Sequence, residues 1–129
     1  MSKMFLRSVL AASTLALVGV ALAATSPAKV ATTAKGPALV NQSGMTLYTF
    51  AKDTKDMSAC NGPCAGNWPP LAAKMGETGP KGWSVFKRAD GTAQWAYHGK
   101  PLYTFVKDTK AGDTMGDGFL KGAWHIAKP

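Results

Sequence analysis

The sequence predicts a mainly β fold: two tandem, pseudo-symmetric antiparallel β repeats in one small, loop-rich domain. Three observations predict it. A nine-residue phrase, Leu47 to Lys55, returns as Leu102 to Lys110, with only Ala51 replaced by Val106. A long match at one fixed offset marks an internal duplication. Apolar residues come in short runs and show no helical period sustained over three turns. Gly and Pro, 14 and 8 of 129 residues, punctuate those runs at a density that suits a loop-rich domain and falls short of the ~25–30% typical of disorder.

The chain opens with Lys3 and Arg7, then an acid-free apolar run over 8–22, then the small-x-small sequence Ala21-Leu22-Ala23. This pattern predicts a signal peptide over 1–23, cleaved near Ala23. The apolar run is shorter than the ~20 residues needed to span a bilayer. The processed protein is therefore expected to be periplasmic or secreted, soluble and not membrane-spanning. Residues 24–35 contain no aromatic side chain and no apolar period, and are expected to form a flexible leader. A single domain follows, with repeats over 36–82 and 83–129.

The net charge is +8, of which Lys3 and Arg7 supply two. A basic balance suits an anionic partner. The lysines are scattered, however (Lys29, Lys35, Lys52, Lys74, Lys81, Lys100, Lys121), as on a solvated surface. Export argues against nucleic acid, so the expected partner is an envelope protein or polymer. Neither that partner nor the oligomeric state is legible.

In the first repeat, Asn41-Gln42-Ser43-Gly44 is a turn signal, and Met45 to Phe50 has strand composition. Strand alternation puts Tyr48 and Phe50 on one face, Leu47 and Thr49 on the other. Gly44 and Gly99 each precede the repeated leucine by three residues, placed to supply positive φ. Asp53 and Asp108 leave the repeated strand, where a carboxylate caps backbone amides. A more functional expectation pairs each with its own phenol, Tyr48 with Asp53 and Tyr103 with Asp108. In the second repeat, Trp83 to Arg88, Ala93 to Tyr97 and Pro101 to Val106 form an expected meander, turned by Asp90-Gly91. Gly122 to Lys128 is a last strand, with Trp124 and Ile126 opposite His125. Trp68 and Trp124 follow their repeat aspartates at nearly equal distance and belong to the repeat.

Cys60 and Cys64 are the only cysteines. In an exported chain they are expected to form a disulfide. The loop is tiny, so its chain-entropy contribution is about 2 kcal/mol. The alternative is a soft-metal site of Met57, Cys60 and Cys64, a set suited to Cu(I), or a redox-active thiol pair. Asp108, Asp113 and Asp117 do not match an EF-hand spacing.

The motifs Tyr48-x-Phe50-x-x-Asp53 and Tyr103-x-Phe105-x-x-Asp108 resemble the signature of secreted repeat proteins with a Tyr-x4-Asp motif. That family is also described as predicted lipoproteins with a Yx(FWY)xxD motif. Cys60-x-Gly62-x-Cys64-Ala65-x-x-Trp68-Pro69-Pro70-Leu71 and Arg88-Ala89-Asp90-Gly91-x-x-Gln94-Trp95-x-Tyr97-x-Gly99-x-Pro101-Leu102-Tyr103 carry the same resemblance. It covers nearly all of the chain beyond the leader and implies an envelope protein of two tandem repeats with no assigned biochemical role. The chain departs from many relatives in lacking a lipid-acceptor cysteine after the signal.

No nucleophile elbow, clustered histidines or glutamate pair occurs; Glu77 is the only glutamate. His98 in a turn and His125 in a strand are read as structural. No catalytic residue and no cofactor is therefore assigned. The function expected is a non-catalytic binding or interaction module. Its expected binding surface is aromatic: Tyr48, Tyr103, Trp68, Trp95 and Trp124. Periplasmic handling of a soft metal or of thiol redox through Met57, Cys60 and Cys64 is the alternative.

Overall fold

The computed structural model describes residues 26–129; the expected signal peptide lies outside them. Each half of the domain starts with an antiparallel hairpin. In the first, β1 (Lys29–Thr33) pairs with β2 (Gly36–Val40). In the second, β5 (Trp83–Lys87) pairs with β6 (Ala93–Tyr97). The expected leader is thus corrected: Lys29–Thr33 is ordered as a strand. Small Ala and Thr residues hide its alternation, but the β2 ladder pairs the backbone groups on the side it faces.

After each hairpin comes the repeated phrase. In the first half it forms β3 (Tyr48–Phe50); in the second it follows the short strand β7 (Lys100–Pro101). The expected meander is present as β5, β6 and β7, although its last strand ends at Pro101 and Tyr103 continues only as an isolated bridge. Gly44 and Gly99 have φ of +84° and +78°, so the expected turns into the phrase require glycine there.

Between phrase and next hairpin lie α1 (Pro63–Asn67), with Pro at its first position, and β4 (Ala72–Ala73). The second half ends with α2 (Phe119–Gly122) and β8 (Trp124–Ile126). α2 is a single irregular turn, with left-handed φ at Leu120 and Lys121. Among the described residues no helix is long and apolar enough to cross a membrane.

The halves do not pack as two separate layers. They exchange their ends. β8, from the second repeat, pairs with β3 of the first. Correspondingly, Pro70 of the first repeat bridges Tyr103 of the second. The backbone bonds repeat the exchange: Ala51 N–H to Ala123 O (2.7 Å) matches Val106 N–H to Asn67 O (3.1 Å). Each half also closes a three-membered ring of amide bonds. Leu47 donates to Leu39, Leu39 to Ala127 and Ala127 to Leu47; Leu102 donates to Trp95, Trp95 to Leu71 and Leu71 to Leu102. In each ring the third member comes from the other repeat.

At the centre Tyr48 and Tyr103 exchange both backbone bonds, at 2.8 and 3.0 Å, which marks the local pseudo-dyad. Tyr48 and Phe50 enter the main aromatic core, while Leu47 joins Leu39, Leu102 and Ala127 in a second cluster. The expected alternation of the phrase therefore holds. Burying an aromatic side chain contributes roughly 1.5–3 kcal/mol, and this core is built mainly of them.

Candidate functional site

The duplicated motif faces inward. Trp68 and Trp124 stack with centroids 3.8 Å apart and planes 2° apart. Phe50 stacks on Trp124 at 4.2 Å and Phe105 on Trp68 at 4.1 Å. Four rings, two from each repeat, make one column across the pseudo-dyad. Tyr48 and Tyr103 close its sides edge-on, each against the tryptophan of its own repeat.

The tyrosine hydroxyls cross over. Tyr48 donates to Asp108 Oδ2 at 2.6 Å, and Tyr103 to Asp53 Oδ2 at 2.6 Å. The expected pairing within each repeat is thereby corrected. The exchange of ends turns each phenol toward the other repeat's carboxylate. The second oxygens are also matched: Asp53 Oδ1 accepts from Ala59 N–H and Asp108 Oδ1 from Met115 N–H. Burial pushes both carboxyls above their ordinary value, against the pull of these hydrogen bonds. Burial likewise pushes both phenols far above theirs, with the neighbouring carboxylate adding to the shift. Both tyrosines remain protonated donors at neutral pH.

The five aromatics expected to form a binding surface are all buried; Tyr48, Tyr103 and Trp124 are each 0% exposed. That surface is corrected to a core. Their apolar area and their need for hydroxyl partners are both met internally.

One side of the dyad carries a polar network that sequence reasoning missed. Arg88, only 4% exposed, donates to Ser58 Oγ, Gln94 Oε1, the Cys60 carbonyl and Asn61 Oδ1. Ser58 Oγ lies 2.7 Å from the Tyr103 hydroxyl, and Gln94 donates to the Leu102 carbonyl. The available signal was that Arg88 is one of only two arginines, the other being Arg7, in a chain rich in lysine. A planar fork, unlike an ammonium, serves several acceptors in a fixed geometry.

Cys60 and Cys64 form the expected disulfide. The Cys60 carbonyl anchors Arg88, so the bridge shapes the loop that holds this network. With both sulfurs joined, the alternative set of Met57, Cys60 and Cys64 has no thiolate to offer; Met57 stands alone on the surface, 64% exposed. Asp113 accepts from the Thr109 and Lys110 amides, and Asp117 from Ile126 N–H and Lys35. Together with Asp108 they serve the loop. Among the described residues no group of three His, Cys, Asp or Glu side chains is placed to hold a metal.

What the surface does present is a groove of about 520 Å³ beside β3 and β7. Thr49 and His125 are cross-strand partners on β3 and β8 and so project from the same face. Asp53, Thr54, Lys55, His98 and Lys100 complete the polar walls. The two histidines, read as structural from sequence, are brought to one groove by the β3–β8 exchange. The duplication supplies an internal comparison. At the positions corresponding to His98, Lys100 and His125 the first repeat has Ser43, Met45 and Pro69. The core motif is nearly identical in both copies, but the groove is not.

Duplication, exchanged ends and an inward-facing Tyr/Asp motif together define a tandem repeat domain. A family model described as a secreted repeat of unknown function matches residues 29–72 and 84–128, and the chain belongs to that family. No curated protein and no solved structure matches the chain.

Proposed function

We propose that this protein is a non-catalytic binding module of the cell envelope, and that its binding site is the groove of Thr49, Lys55, His98, Lys100 and His125. Export through a cleaved signal peptide puts it in the periplasm or outside the cell. One observation carries the reading: the two copies share their core-forming residues and part company at the groove, where His98, Lys100 and His125 replace Ser43, Met45 and Pro69. Packing accounts for the shared residues, whereas these three polar side chains stand exposed within reach of a ligand.

The test is co-sedimentation with an isolated, washed envelope fraction. Wild-type protein is expected in the pellet, and His98→Asn/Lys100→Met in the supernatant with an unchanged unfolding curve. Equal recovery of both proteins in the pellet would remove the groove as the site.

A further inference from the structure

The groove does not end at Lys55 and His98. A second opening of about 330 Å³ shares Thr49, His98, Lys100 and His125 with it and runs on to Lys128. The two form one trough with an ammonium group near each end and a third, Lys100, between them. Its only acidic side chain is Asp53. That carboxylate is already occupied, accepting from the Tyr103 hydroxyl and the Ala59 amide. Asp117 stands beside His125, and Lys128 Nζ donates to the Lys35 carbonyl at 3.3 Å. Among the described residues, however, Lys55, Lys100 and Lys128 form no ion pair with a carboxylate, so the trough's cations are only partly compensated, a field that concentrates anions.

Its imidazoles are held in place. The His98 ring packs on Tyr97 at 4.1 Å, and the His98 backbone N–H donates to the Gly82 carbonyl at 2.7 Å, fixing the turn that carries the ring. Gly82 lies so close that a Cβ there would come within 2.8 Å of the ring. His98 also adopts a left-handed φ of +50°, uncommon for a residue other than glycine. The ring of His125 stands on β8 with Nδ1 3.6 Å from Asp117 Oδ1. Such fixed donors lose little freedom when a ligand arrives.

We infer that the trough binds a linear polymer bearing repeated oxyanions, carboxylate or phosphate, one opposite each of Lys55, Lys100 and Lys128. Thr49 and the imidazoles bond the polar groups between them. A run of separated cations along an open trough suits a chain better than a single ion. This inference rests on the reading of the groove as the binding site.

Calorimetric titration of the full-length processed protein tests it with three probes: tetragalacturonate, linear tetrapolyphosphate and uncharged cellotetraose. Saturable one-to-one binding of either anion is expected, and which one binds identifies the oxyanion. Affinity is expected to fall about tenfold in Lys100→Met and in His98→Asn, the loss of one charged or polar contact each. Lys110→Met, the counterpart of Lys55 on the other half, is expected to change it less than about twofold. Added salt weakens binding of the anions. Equal loss in Lys110→Met would show diffuse charge and overturn the inference, as would no binding of either anion at millimolar concentration. Binding of cellotetraose alone, abolished by Lys100→Met, would overturn the oxyanion while leaving the groove as the site.

Discussion

Tyr48→Phe removes one oxygen atom and tests the crossed geometry directly. That hydroxyl donates to Asp108 Oδ2 at 2.6 Å and accepts from the Gly116 amide at 3.2 Å. Its loss leaves a carboxylate that is only 7% exposed with the Met115 amide as its remaining partner. A hydrogen bond to a charged group contributes about 1.5–3 kcal/mol, so the substitution is expected to cost about 2–3 kcal/mol. For a domain near a hundred residues this lowers Tm by roughly 10–20 °C. The decisive measurement is a double-mutant cycle by urea unfolding, followed through tryptophan fluorescence. Tyr48→Phe with Asp108→Asn should show a coupling of about 1–2 kcal/mol, whereas Tyr48→Phe with Asp53→Asn should add within about 0.5 kcal/mol. Coupling to Asp53 and none to Asp108 would refute the exchange between repeats.

Further outcomes follow from the same core. Asp53 and Asp108 bind their protons more tightly folded than unfolded, so their contribution to stability is largest below the ordinary carboxyl value of 3.8 and declines as pH rises through the raised values. The urea midpoint of wild type should accordingly fall relative to that of Asp108→Asn across that window; a relative rise would contradict the sign. Cys60→Ser/Cys64→Ser should lose about 2 kcal/mol and keep one cooperative transition, and loss of cooperativity would show the bridge to be more than a local staple. Gly116→Ala would bring a Cβ within 2.6 Å of the Trp68 ring; a cost of about 1–3 kcal/mol is expected from overpacking, and a neutral midpoint would show that the ring column can yield. Arg88→Lys should behave nearly as badly as Arg88→Met, since one ammonium cannot replace a fork bonded to four groups. Full rescue by lysine would mean that charge alone matters there.

Much of this architecture is legible in the sequence because it is local. The strand alternation that buries Tyr48 and Phe50 together, the glycines that turn the chain into each phrase and the short cysteine loop depend on near neighbours only. The crossed pairs are a different kind of fact. A repeat offset says which residues correspond, but not which half each one faces; that is decided by β8 joining β3 and by Pro70 joining Tyr103. Composition counts aromatic rings without saying how they stack, so it does not tell a surface from a core. Lys29–Thr33 does not announce a strand, because Ala31, Thr32 and Thr33 give no apolar alternation. His98 and His125 are far apart along the chain, and only the exchange of ends puts them on one groove.

That exchange has an ancestral implication. A chain carrying one copy of the unit would be left with an open amide ring and an unanswered phenol, and could complete both only by embracing a second, identical molecule. Such a pair would be a closed twofold dimer, obliged to present the same residues at both of its clefts. Joining the copies in one polypeptide ends that obligation: one cleft can specialise in a ligand while its twin keeps whatever residues the framework tolerates.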